Sequence, residues 1–108
     1  MDAPILVYTT YPSIVEAETA GRKLVEAGLA ACINIIPEMT SIFRWKGQVE
    51  RGSEVIMIVK TRDSLKERAA AAVRESHPFE TPAILFLPTS GGDKKYVGWI
   101  MDETAGAK

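Results

Sequence analysis

His77 is the only histidine in the chain, and it opens the run His77-Pro78-Phe79-Glu80-Thr81-Pro82, where two prolines restrict the backbone on either side of a carboxylate. Histidine is the side chain whose ordinary titration lies nearest neutrality, so an imidazole placed here has the chemistry to pass a proton or to give a lone pair to a metal. Glu80, in the same turn, adds an oxygen donor. Together they suit a borderline divalent ion such as Cu(II) or Zn(II). Two ligands fall short of the three or four that such sites use, so the expected affinity is modest. For an isolated histidine the favoured alternative is a partly buried ring bonded to a backbone carbonyl at a helix end; for Glu80 it is a salt bridge or solvent.

The remaining chemistry-bearing residues are scattered. Cys32 lies between Ala31 and Ile33 in an apolar run and reads as a small buried hydrophobe rather than a nucleophile. Lys60 ends an apolar strand just before Thr61-Arg62, where two cations either face an anionic ligand or simply reach water. Gly91-Gly92-Asp93-Lys94-Lys95 has the glycines and lysines of a weak anion contact, with a solvated loop as the favoured reading. Trp45, Tyr96 and Trp99 are amphipathic aromatics outside the core strands and suit an interface or a pocket lip as well as they suit core packing. The chain has no CxxC pair, no HExxH, no GxSxG and no Walker-type phosphate loop.

These residues need elements to hold them. A β-branched run from Ile5 to Thr10 stops at Tyr11-Pro12, and Ser13 with Glu16 forms a capping box for a helix over Ser13 to Ala27, closed by Gly28. Ala31 to Ile36, closed by Pro37, and Thr40 to Trp45 read as two further strands, with Lys46-Gly47 as a turn and Gln48 to Arg51 returning from it. Val55 to Val59 is apolar without alternation, which predicts a strand covered on both faces. A second capping box, Ser64 with Glu67, opens a helix that ends near Ser76; Ala83 to Leu87 is the last strand, and Lys95 to Asp102 a short terminal helix.

The order is β, α, β with an extended hairpin, β, α, β. That is the α+β, ferredoxin-like split βαβ arrangement (βαββαβ), an antiparallel sheet with two helices on one face and a short C-terminal helix. Leu6, Ile35, Ile56, Ile58, Leu85 and Leu87 then leave the second face apolar, and no third long helix exists to cover it. A second copy of the chain is the simplest cover.

The 108 residues, 46 % of them hydrophobic, make one domain over 1–108, and a chain of this size buries only about 65 % of its unfolded surface. Thirteen Lys and Arg against fourteen Asp and Glu give a formal charge of −1, which supplies no positive field for a phosphate backbone, so nucleic acid is not an expected partner. No window approaches the ~20 apolar residues of a membrane span, and no basic, apolar leader precedes Ile5. With one cysteine and no possible intrachain disulfide, the cytoplasm is the expected compartment.

Three pieces taken together resemble the CutA divalent-cation tolerance family: Ala30-Ala31-Cys32-Ile33-Asn34-Ile35-Ile36-Pro37 leading through Thr40-Ser41-Ile42 to Trp45 and Gly47; Ser53-Glu54-Val55 with Lys60-Thr61; and the His77-to-Pro82 run completed by Tyr96 and Trp99. The resemblance runs from Val7 to Trp99. It implies a homotrimer with sheets joined edge to edge, kinship with PII-type signalling proteins, no established catalytic reaction and a link to copper or other divalent cations. It also implies that Cys32, Trp45, Lys60, His77, Glu80, Tyr96 and Trp99 line or border a cleft between subunits that takes a metal ion or small ligand. This chain departs from the pattern at Thr9 and Ser76, where some members carry a cysteine and a second histidine, and at Arg44, where an aromatic is common. The expected function is therefore a non-enzymatic trimeric binder with no required cofactor. A small hydrolase of acylphosphatase type is the alternative, but Tyr11-Pro12-Ser13 lacks the arginine its anion loop needs. An RNA-binding module of the same topology needs aromatics on the central strand, and Val55 to Val59 has none.

Overall fold

Alternation along β1 (Pro4–Tyr11) sends Ile5, Val7, Thr9 and Tyr11 to a buried side in a computed structural model that describes residues 2–107. Met1 and Lys108, the ends of the expected 1–108 domain, lie outside the described residues. β1 pairs antiparallel with β3 (Gln48–Arg62) and β4 (Ile84–Pro88), and β2 (Cys32–Trp45) pairs antiparallel with the far side of β3. The sheet order is β2-β3-β1-β4, the split βαβ topology.

Helices α1 (Ile14–Glu26) and α2 (Lys66–Ser76) lay Ala17, Leu24, Ala69 and Val73 against Val7, Tyr11, Met57 and Val59 to form the core. Ser13 caps α1 as its spacing with Glu16 predicts: its hydroxyl accepts from the Glu16 amide at 3.3 Å and donates to the Glu16 carboxylate at 2.9 Å. The second expected box does not form. A 3-10 turn over Asp63–Leu65 leads into α2, and Ser64 turns instead to Asp2, giving its amide at 3.0 Å and its hydroxyl at 2.6 Å. A carboxylate from the distant N-terminal segment outcompetes the local Glu67 because it satisfies two donors at once and pairs with Arg62 at 3.2 Å.

Pro37 does not end a strand. β2 is a sheet edge, where a missing amide breaks no ladder bond, and the chain passes through with a register shift between Ile36 and Met39 and Glu38 at φ 61°. The two predicted strands are thus one, and β3 likewise runs unbroken from Gln48 through the Val55 to Val59 segment. Lys46 at φ 50° and Gly47 at φ 82° supply the double left-handed turn of a tight hairpin. Its tip leaves Ile42 at 74 % and Val49 at 64 % exposure, and the molecule measures 44 × 26 × 22 Å.

The apolar Val55 to Val59 segment does alternate in burial: Val55, Met57 and Val59 face the helices, while Ile56 and Ile58 are only partly covered on the other side. Ile35 joins the helix-side core, but Leu85 remains 63 % exposed and Leu87 and Ile36 are open as well. The second face is therefore uncovered within one chain except at one end. There α3 (Lys94–Glu103) approaches Lys60 and Arg62, with Arg62 donating to the Thr104 hydroxyl at 2.9 Å and to the Met101 carbonyl.

Candidate functional site: a cavity under the hairpin

Sheet register decides which side chains meet on the open face. Tyr8 and Thr10 of β1 stand opposite Ile58 and Ile56 of β3, and beyond the bulge Met39, Ser41, Phe43 and Trp45 of β2 pair with Glu54, Gly52, Glu50 and Gln48. Period-two alternation places Tyr8, Thr10, Ser41, Phe43, Trp45 and Glu54 on one side, away from α1 and α2. Glu54 is fixed there by two neutral donors, the Thr10 hydroxyl at 3.0 Å on one carboxylate oxygen and the Ser41 hydroxyl at 2.8 Å on the other. Beside it opens a cavity of about 790 Å³, walled by these residues and by Pro78, Phe79, Glu80 and Thr81 from the turn after α2.

His77 pins that turn. Its Nε2 lies 2.6 Å from the Thr10 carbonyl oxygen, and its Nδ1 accepts the Phe79 amide at 3.1 Å. A carbonyl can only accept and an amide can only donate, so Nε2 carries the proton and Nδ1 the lone pair. The ring stacks on Tyr11 with centroids 4.5 Å apart and leans on Phe79 at 5.1 Å. Burial pushes the Tyr11 phenol above its ordinary range. The ring that sequence offers as a metal ligand is thus occupied by backbone at both nitrogens, with no lone pair left over. Glu80 is exposed on the cavity wall, and among the described residues no three His, Cys, Asp or Glu side chains gather to hold an ion.

The two positions that distinguish this chain from the metal-donor pattern bear on the same point. Thr9 is fully buried on the helix side of β1, facing away from Tyr8 and Thr10, and its hydroxyl has no partner among the described residues. The Ser76 hydroxyl folds back on the Ala72 carbonyl at 3.3 Å. A donor at position 9 would point into the core, not into the cavity.

Four of the expected cleft residues form a separate corner. Cys32 stands opposite Lys60 across β2 and β3. The Lys60 ammonium donates to the Tyr96 hydroxyl at 2.8 Å and sits 5.2 Å from that ring, and this acceptor holds its pKa above the ordinary lysine value. Tyr96 and Trp99 contact at 5.6 Å between centroids. In the Gly91-to-Lys95 segment the Asp93 carboxylate caps α3 by accepting the Tyr96 amide at 3.1 Å. Glu54 and Lys60 are roughly 20 Å apart along β3 at ~3.3 Å per residue. One chain therefore brings Trp45, Glu80 and the His77 pin together at the hairpin end and Cys32, Lys60, Tyr96 and Trp99 at the other, on the same face but not in one site. Sequence reading missed Tyr8, Thr10, Ser41, Phe43, Glu54 and Phe79 as cavity walls. For the strand residues among them the signal was alternation, which becomes informative only once the register across the bulge is known; Phe79 lies in the turn after α2 and had no such signal.

A family model described as CutA1 divalent ion tolerance protein matches residues 5–103. The chain is 38 % identical over 99 residues to the Divalent-cation tolerance protein CutA of Thermus thermophilus, covering 92 % of this chain and 96 % of that one. It is 37 % identical over 100 residues to Protein CutA, chloroplastic, of Arabidopsis thaliana, covering 93 % of this chain but 55 % of the relative, so it spans about half the length of that protein. Among solved structures, the periplasmic divalent cation tolerance protein CutA from Archaeoglobus fulgidus superposes with a TM-score of 0.90 at 38 % identity, over 94 % of this chain and 98 % of that one. Among the described residues no helix is long and apolar enough to cross a membrane.

Proposed function

The chain belongs to the CutA1 divalent ion tolerance family, and from that premise we propose that it works as a non-enzymatic homotrimer whose inter-subunit clefts take up a small ligand or a weakly held divalent cation. The observation that carries this reading is the open sheet face: an apolar surface with a cavity at its hairpin end and an aromatic, basic corner at its other end. Two half-sites on one face are completed when the hairpin end of one copy meets the Lys60 corner of the next, which gathers Cys32, Trp45, Lys60, His77, Glu80, Tyr96 and Trp99 around a shared cleft. Occupancy of that cleft is then the state that another component reads, as in PII-type signalling.

Within one chain the residues do not fit a chelated metal. His77 has both nitrogens on backbone groups and Glu54 is held by two hydroxyls, so Cu(II) or another divalent ion would have to recruit donors from a neighbouring copy or displace the Phe79 amide. Against a hydrolase stands the loop after β1, where Ser13 is spent on the cap of α1 and no arginine is present. The cytoplasm is the compartment proposed, on the strength of the single unpaired Cys32.

Light scattering on an eluting peak tests the assembly: three copies per particle are expected, and a stable monomer at micromolar concentration would overturn it. Calorimetric titration of Cu(II) into wild type and His77→Ala then tests the cation. Weak binding that needs the trimer supports it; tight binding that is unchanged in the variant excludes His77 as a ligand.

A further inference from the structure

The sequence leaves Lys60 and Arg62 either to an anionic ligand or to water, and in the folded chain a helix takes both. Two residues apart on β3, the two cations stand on the same side of the strand, about 6.6 Å from one another, and α3 lies on that side. Lys60 meets the first turn of α3 through the Tyr96 hydroxyl. Arg62 meets its last turn through the Met101 carbonyl and, one residue past the helix, the Thr104 hydroxyl. From Tyr96 to Met101 the helix rises about 7.5 Å, so the spacing of the helix matches that of the strand.

α3 needs these anchors. Of its ten residues only Ile100 is buried, and Gly98 at its middle weakens it as a helix. Its last turn carries Asp102 and Glu103 and no basic residue, so acidic side chains stand at the end where the helix dipole and the unpaired carbonyls are already negative. The missing cation comes from β3. All three side-chain nitrogens of Arg62 are used: Nε donates to Thr104 Oγ1 at 2.9 Å, Nη2 to the Met101 carbonyl, and Nη1 to the Asp2 carboxylate at 3.2 Å. Thr104, 2 % exposed, donates in turn to the Ile100 carbonyl at 2.8 Å, so one fork accounts for two carbonyls of the last turn. These groups belong to one chain and already satisfy one another, so the arrangement draws on no open surface of the sheet.

We propose that Arg62 is a positioning residue for the cleft: by gripping the last turn of α3 it sets the rotation of that helix, and so brings Tyr96 onto Lys60 and Trp99 beside Tyr96, with Asp2 steadying the guanidinium. The proposal rests on the reading of the Lys60 corner as one side of the inter-subunit cleft, and names the residue that builds that corner from outside it.

The two indole N–H signals of the intact protein, from Trp45 at the hairpin end and Trp99 on α3, test it by nuclear magnetic resonance. Arg62→Met should move and broaden the Trp99 signal and leave that of Trp45 as in wild type, because stability lost without a change in the folded structure moves neither. Arg62→Lys should shift Trp99 as well, since an ammonium keeps the charge but not the planar fork that reaches three partners. Thr104→Val, nearly isosteric, takes out the hydroxyl between Arg62 and Ile100 while leaving every charge in place. It should give a smaller shift of the same kind, which keeps the test decisive where Arg62→Met does not fold. A Trp99 signal unmoved in Arg62→Met, or in Thr104→Val, overturns the proposal, and so do equal shifts of Trp45 and Trp99. Recovery of the wild-type signal in Arg62→Lys overturns the fork in favour of a bare charge at a helix end. The scattering mass and the Cu(II) titration of wild type decide the cleft separately: their failure leaves the grip of Arg62 on α3 to be read from these variants, and an unmoved Trp99 leaves the cleft standing without Arg62.

Discussion

His77 illustrates how a residue type and its surroundings point to different chemistry. Sequence identifies the imidazole and its rigid turn, but the Thr10 carbonyl that claims it arrives from β1, far away in the chain, and no local pattern announces that contact. His77→Ala should therefore destabilise the fold by about 2 kcal/mol, from two lost hydrogen bonds and the stack on Tyr11, read from the urea midpoint at unchanged slope. Asp2 carries a second residue-scale expectation. Hydrogen bonds from Ser64, with smaller help from Ala3 and Arg62, hold its carboxyl below the ordinary aspartate value. A folded pKa below the unfolded one means stabilisation that is complete above the ordinary value and fades as pH falls through the lowered one. Asp2→Asn should thus lower the melting temperature at neutral pH and flatten its fall on the acid side, an effect kept small by solvent around an exposed group. Equal acid limbs in wild type and variant would mean that the Ser64 clamp does not form in solution.

At the scale of elements, periodicity and end signals located the three α-helices and the strand segments, and the errors fell mainly where distant chain intervenes. The Ser13 cap formed because both partners are local; the Ser64 cap did not because Asp2 supplies a better acceptor. Pro37 read as a terminator because sequence cannot distinguish an edge strand from a central one, and the cavity walls stayed hidden because register across the Ile36/Met39 shift is a tertiary property. Packing also overrides propensity at Gly21 in α1. A Cβ there would stand 2.9 Å from Ile33 Cγ2, closer than Cβ atoms come in folded proteins, and a tight 3.3 Å from Met57 Sδ. Gly21→Ala should gain up to ~1 kcal/mol of helix propensity but lose ~1–3 kcal/mol to overpacking, a net destabilisation of about 1 kcal/mol by chemical denaturation. A stabilised variant would mean that α1 stands further from β2 than described.

The whole molecule carries the assembly predictions. An exposed Leu85 on the open face and an exposed Ile42 and Val49 at the hairpin tip are costly in a lone chain and are removed from water if copies close on one another. Leu85→Glu should shift the scattering mass from three copies toward one, while the circular dichroism spectrum of the fold persists. If the variant remains trimeric, the Leu85 patch lies outside the contact. If the wild-type trimer is as tight as this apolar area allows, its melting temperature should not change over a wide dilution range. The kink at Pro37 and Glu38 bears on where such growth stops. It divides the outer rim of the sheet at β2 into Cys32–Ile36 and Met39–Trp45, and the opposite rim, β4, is a short strand that ends on Pro88. Neither rim offers a long straight ladder of free amides and carbonyls for strand after strand to add without limit. A chain so built can pair with a neighbour over a short stretch, yet its rims are poor templates for a fibre, which suits the closed assembly proposed above better than open-ended strand addition.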